Sequence, residues 1–543
     1  MFYNCKSLTS LELTSNFNTE FVLDMSYMFY HCQLLNSLNL SQFNTQLVTN
    51  MKSMFDNCKS LIELDLTSFN TENVTDMSYM FSNCSNLINI DLSPTDFNTK
   101  IVTKMEYMFY NCSKLENITI EDFVTSEVRN MRYMFAFCKS LSSLNLSQFD
   151  ITLVEDMQAM FKNCESIKIL DLRSFNTLNV KNMQNMFESC LHLTKIEFDD
   201  QLFDTSQVTN MEYMFSECKE LINLDVSFFK TSSVTNMNHM FYSCKKLSEI
   251  ELKNFDTSHV TNMEYMFSKC RNVIELNISK FDTGLVNNMG HMFEKCLKIK
   301  SLNLLNFDTS KVTNMQSMFS NCQSIQELDI SNFVVSSVTR ANRMFEYCVE
   351  LTSIYFQNFN TIKITDLSFM FYYCYSLKEL DLASFKTERV TDMSFLFYGC
   401  ISLTSINIIN FETSKVVNMD SMFHGCSSLK ILHLNNFNTA RVKTMKNMFY
   451  NCKSLLYLDL LNFETSQVTQ ISSMFYGCSS LSSLLINFDT SLITDMNNMF
   501  EKCSSLINLD VTHFDTSHVT NMVNMFEGCN SLKILNLINF ATS

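Results

Sequence analysis

Residues 58–84 read CKSLIELDLTSFNTENVTDMSYMFSNC, and the rest of the chain repeats this pattern. The stretch opens and closes on a cysteine, Cys58 and Cys84, and the following ones are Cys112, Cys138, Cys164 and Cys190. The spacing is 26 residues, with two extra residues between Cys84 and Cys112. All 21 cysteines fall in one frame of this period, and all 37 methionines fall in two. A strict period of 20–50 residues marks a stacked repeat architecture, so 543 residues need not mean several globular domains.

Within the unit, Leu61, Leu64 and Leu66 end in alternation, which suits a short strand with Leu64 and Leu66 turned inward. Phe69-Asn70-Thr71 then reads as the turn that leaves the strand. Val74, Met77, Met80, Phe81 and Cys84 fall in a sector of about 120° at about 100° per residue. That spacing predicts a short helix, with Thr75 or Asp76 as its N-cap and Thr49-Asn50, Thr209-Asn210 and Thr313-Asn314 as equivalents. Gly399, Gly425, Gly477 and Gly528 each precede the cysteine of their unit, where a helix C-terminus uses glycine. Extra residues enter at Ser93-Pro94 and at Asp199 to Leu202, and the single proline makes that segment a surface turn.

Neither element can bury its apolar side alone, so the units must stack and share one core. The expected fold is an α/β repeat over residues 1–543. It is a single continuous right-handed solenoid of about twenty-one leucine-rich-repeat-like units, one per cysteine. The parallel sheet lies on the concave side and the short helices, being wider, on the convex side. Met1-Phe2 and Phe540 to Ser543 show no polar cap, which predicts a segment of a longer array, or ends that stack on other copies.

The full unit reads M-F-x-x-C-x-x-L-x-x-L-x-L-x-x-F-N/D-T-x-x-V-T-N/D-M, as at Phe307 to Met315 and Met422 to Leu429. It resembles the BspA-like leucine-rich-repeat surface proteins, and most of all their mycoplasma-type, lipoprotein-associated branch. The resemblance covers the whole chain. It implies a surface-exposed, non-enzymatic protein used in adhesion or partner binding, with no catalytic residues to carry over.

The formal net charge is −16, which disfavours nucleic acid and anionic membrane as partners. No apolar run approaches eighteen residues, so no membrane span is expected in this segment, and no secretory signal is read at Met1. The nine histidines are scattered, with no H-E-x-x-H, phosphate loop or G-x-S-x-G motif, and no cofactor is expected. One cysteine per unit lacks zinc-ligand spacing, and a uniform ladder of odd number cannot pair throughout, so buried free thiols are expected. Free thiols favour a reducing location, against the cell surface that the resemblance implies.

The position between the last two leucines points out of the sheet. It is acidic at Glu12, Asp65, Asp91, Asp171, Glu197, Asp225, Glu251, Asp329, Asp381, Asp459 and Asp510, and Asn at six further units. One reading is a solvated face that blocks aggregation. The other is a stripe that binds a protein or glycan ligand, a basic one by preference. The run Asp171, Glu197, Asp225, Glu251 also suits Ca²⁺, which takes oxygen ligands. Asn73, Asn111 and Asn277 open glycosylation sequons. Two further functions stay open: a structural subunit of a filament or extracellular matrix formed by end-to-end stacking, and an intracellular inhibitor-like scaffold.

Overall fold

The structure is a computed structural model that describes residues 1–13, 17–93, 96–357 and 359–541. Pro94 lies outside the described residues. The chain divides into two units, Met1–Val273 and Ile274–Ser543, each a stack of coils. Coils join through parallel backbone pairing between residues one period apart, such as Asn50↔Asp76 in the first unit and Asp392↔Asn418 in the second. The architecture is a parallel β-solenoid. Among the described residues its coils number about 17, not the expected twenty-one.

The leucine segments form strands of two to four residues in parallel register. In the first unit Asn89–Asp91 pairs with Asn117–Thr119, Ile169–Asp171 with Lys195–Glu197, and Asn223–Asp225 with Glu249–Glu251. In the second, Glu327–Asp329 pairs with Ser353–Tyr355 and Glu379–Asp381 with Ser405–Asn407. Tyr457–Leu460, Ser483–Ile486, Asn508–Leu509 and Ile534–Leu535 follow as four paired strands. The expected parallel sheet is thus, among the described residues, a series of short ones. One break, between Glu197 and Asn223, coincides with the extra residues at Asp199 to Leu202, where Phe203 N donates to the Asp199 carbonyl in a tight turn.

The expected helices are absent among the described residues. Val74 to Cys84 is instead a ribbon of turns. Met80 N donates to Met77 O and Cys84 N to Phe81 O, both at 3.2 Å, which closes four-residue turns. The intervening N–H groups leave the coil: Met77, Tyr79, Phe81 and Asn83 donate to Lys104, Glu106, Met108 and Tyr110 of the next coil, at 2.6–3.0 Å. Tyr79 and Asn83 carry φ of 60° and 58°, values that an α-helix excludes. Weak helix formers at Ser78, Tyr79, Ser82 and Asn83 leave little propensity to resist this path. Gly425, with φ 74°, sits in the frame of Asn83. Glycine serves a left-handed position present in coil after coil, not a helix end. With no helix among the described residues, the wider element expected on the convex side is missing.

The sorting of inside from outside holds despite this. Val74, Met77, Met80, Phe81 and Cys84 are all fully buried, with Leu61, Leu66 and Phe69. Phenylalanines stack coil on coil, Phe55–Phe81 at 5.8 Å and Phe319–Phe345 at 5.9 Å, with planes within 3°. Each buried thiol has a partner: Cys58 Sγ donates to Phe29 O and Cys426 Sγ to Phe397 O, both at 3.2 Å. Thr71 is buried as well, and its hydroxyl donates to Asn98 O at 2.7 Å. The Thr in F-N/D-T thus ties one coil to the next.

Candidate functional site

The outward side of the strands collects the side chains that the core leaves free. In the acidic column, Asp65, Asp91, Asp171, Asp225, Asp329, Asp381, Asp459 and Asp510 share one geometry. Each Oδ1 accepts the backbone N–H two residues on, at 2.9–3.1 Å. Asn39 and Asn145 do the same toward Ser41 and Ser147. The column therefore closes the turn that ends each strand, work that Asp and Asn perform equally well. Glutamate is one methylene longer and departs from this use. Glu197 instead meets Lys195 at 2.6 Å and Arg173 at 3.5 Å, while Glu12 and Glu251 are exposed. Bonds from Ser227 hold the Asp225 carboxyl below the usual carboxylate range, and bonds from Thr67 do so at Asp65.

A substitution separates the two roles of this column. Asp225→Asn keeps the acceptor and is expected to melt within about 0.5 kcal/mol of the parent. Asp225→Ala is expected to cost about 0.5–1.5 kcal/mol. The carboxylate's contribution is present above the ordinary aspartate pKa and fades as pH falls through its depressed folded value. Urea melts at pH 7 and pH 3 check this, because only the parent should lose stability at this position in acid.

The run Asp171, Glu197, Asp225, Glu251 is not a bare row of carboxylates. Arg173 binds Asp171 at 2.6 Å and reaches Glu197, so cations already occupy that end. Among the described residues no three His, Cys, Asp or Glu side chains converge as a metal site. No helix among them is long and apolar enough to cross a membrane.

Beside this run lies a groove of about 600 Å³, open at the two-residue insertion. Arg173, Lys195, Glu197, Asp225, Phe198 and Phe228 are among the side chains that line it. Phe198 stands in the third leucine frame, where Leu66 and Leu172 are buried, yet it is only half-buried. Its ring meets Phe203 at 4.6 Å and the edge of Phe228 at 5.7 Å. Sequence reading placed Glu197 and Asp225 on this face but missed Arg173, Lys195 and the two rings. The available signal was an aromatic in the third leucine frame directly before an insertion.

The buried thiols are held neutral. Burial pushes Cys138, Cys190 and Cys270 up to about 12, and the backbone hydrogen bond each sulfur takes from the cysteine one coil back only partly offsets it. A thiol so placed is neither a nucleophile nor a metal ligand at neutral pH.

Fold and site together define a repeat scaffold: a parallel β-solenoid with a structural interior and a variable strand face. The repeat matches the model of a family described as "Mycoplasma protein of unknown function, DUF285" over residues 1–114, 88–199, 191–301, 262–380, 365–457 and 453–543. The chain belongs to that family. No curated protein matches it. Among solved structures it is similar to a leucine-rich cell surface protein from Faecalibacterium prausnitzii A2-165, with 22% identity and a TM-score of 0.36, covering 66% of this chain and 82% of that one. It is also similar to a leucine-rich repeat protein from Bacteroides ovatus ATCC 8483, with 16% identity and a TM-score of 0.31, covering 85% and 87%.

Proposed function

We propose that this chain is a non-enzymatic protein-binding scaffold of the cell surface, acting in adhesion through its strand face. The groove at Phe198 and Phe228 carries the reading. Two partly exposed rings lie there among charged side chains, at a point where extra residues interrupt the repeat. Rings in such a setting supply contact area at low entropic cost, and charged rims select the partner. The acidic positions, Glu12 through Asp510, favour a basic partner protein, with a glycan ligand as the competing choice. The BspA-like character of the repeat supports the surface setting. The thiols do not oppose it, because a buried neutral thiol needs no reducing surroundings to stay free.

The test is capture of surface proteins from candidate host cells on the immobilised chain, with Ca²⁺ and with chelator. Phe198→Ser/Phe228→Ser, shown by melting to be folded, is expected to weaken capture at least tenfold. Equal capture by the double variant would sink the reading. Capture that survives protease treatment of the cells but not glycosidase treatment would reassign the ligand to glycan.

A further inference from the structure

In the unit Ile274–Ser543 the strand face changes character. Ile409, Ile431 and Leu461 are 70%, 62% and 54% exposed, and Tyr457 and Leu485 are 48% and 39% exposed. The backbone register brings these side chains together. Ile431 pairs directly with Tyr457, and Leu485 stands opposite Asp459 on the next strand. Beside Ile409 a groove of about 340 Å³ runs between Asn407 and His433. Neighbouring coils in a parallel ladder lie about 4.8 Å apart, so the five residues form one patch rather than scattered exposures.

The charges at the outward strand positions of the patch and its two ends are acidic. Asp381 borders it on one side and Asp510 on the other, and Asp459 lies within it. At the outward strand positions from Glu379 to Thr512 the sequence has no Lys or Arg, and Lys378 and Lys430 stand one position outside, along the edge. An apolar centre with an acidic border is complementary to an apolar stripe bordered by Lys and Arg. The face also limits the form of the partner. Strand N–H and C=O groups inside a stack are already paired along the ladder, so an extended segment could not bond its backbone to them. A helix meets its own backbone bonds and docks by side chains alone.

We infer that this face docks a cationic amphipathic helix of another protein, with its apolar stripe on Ile431, Tyr457 and Leu485 and its basic flanks toward Asp381, Asp459 and Asp510. This rests on the protein-binding reading and names the partner class for the second unit.

The probe is a labelled 18-residue Leu/Lys peptide patterned at helical period, with a scrambled peptide of the same composition, followed by anisotropy at about 0.15 M salt. The full chain is expected to bind the patterned peptide at least tenfold tighter than the scrambled one. Ile431→Ser/Tyr457→Ser removes apolar surface without changing charge and is expected to weaken binding tenfold. Ile62→Ser/Ile222→Ser, at exposed positions of the other unit, should change it less than twofold. Equal binding of both peptides, or equal effects of both double variants, overturns the proposal. Vesicle binding that depends on Ile431 and Tyr457 while peptide binding does not would assign the face to lipid and overturn it too. Failure here leaves the Phe198 groove and its capture assay untouched, so the two readings fall separately.

Discussion

Raising the pH from 8 to 11 in reductant is expected to unfold the chain cooperatively, with half of its ordered far-UV signal lost before pH 11. An unfolded cysteine ionises near pH 9, whereas burial pushes Cys138, Cys190 and Cys270 in the first unit up to about 12. The same holds for Cys348, Cys400 and Cys452 in the second. The folded state therefore keeps protons that the unfolded state gives up. The stability these thiols confer is complete below pH 9 and is lost as pH climbs toward 12. Each contributes about 1.4 kcal/mol per pH unit in that window. Three such thiols in each unit remove about 4 kcal/mol per pH unit, against a total stability on the order of 5–15 kcal/mol for a domain. Tyr107, pushed by burial to about 12, acts in the same direction. A chain that held its far-UV signal at pH 12 would refute the neutral-thiol core. A Cys138→Ala/Cys190→Ala variant should show a shallower fall of melting temperature with pH than the parent.

The second large effect is expected at the threonine ladder. The Thr231 hydroxyl is buried, donates to Asp256 O at 2.8 Å and accepts from Asp256 N at 2.8 Å. One side chain thus satisfies a donor and an acceptor of the next coil. Thr231→Val keeps the shape and removes both bonds, at an expected cost of about 2–3 kcal/mol in urea melts. Thr231→Ser keeps both and loses one methyl, about 1 kcal/mol. The order parent, Ser, Val is the outcome to check. A valine variant as stable as the parent would mean that Asp256 finds other partners and that the threonine is only filler.

The two variants address what pattern reading could and could not recover. Cys58, Met77 and Phe81 were legible as core because burial leaves the same residue type at the same frame in every coil. Thr71 was legible only as a recurring turn residue, since its partner, Asn98, lies in another coil. The acidic column was legible as outward-facing. Its role in closing turns was signalled by the interchange of Asp with Asn, and that signal is weaker than charge to a reader looking for a ligand. At the groove, the insertion after Phe198 was plain, but its consequence was not. The ring that meets Phe198 there belongs to Phe228, a full coil away.

Val74 to Cys84 marks the boundary most clearly. Its apolar spacing fits a helix and fits equally a ribbon of turns that buries the same five residues. Local sequence alone set the period, the identity of the core and the outward positions, because each is a property of one residue repeated at a fixed interval. The path of the backbone was decided by tertiary structure. The left-handed Tyr79 and Asn83 are held by N–H bonds to Glu106 and Tyr110, 27 residues away, and no local window contains both ends of such a bond.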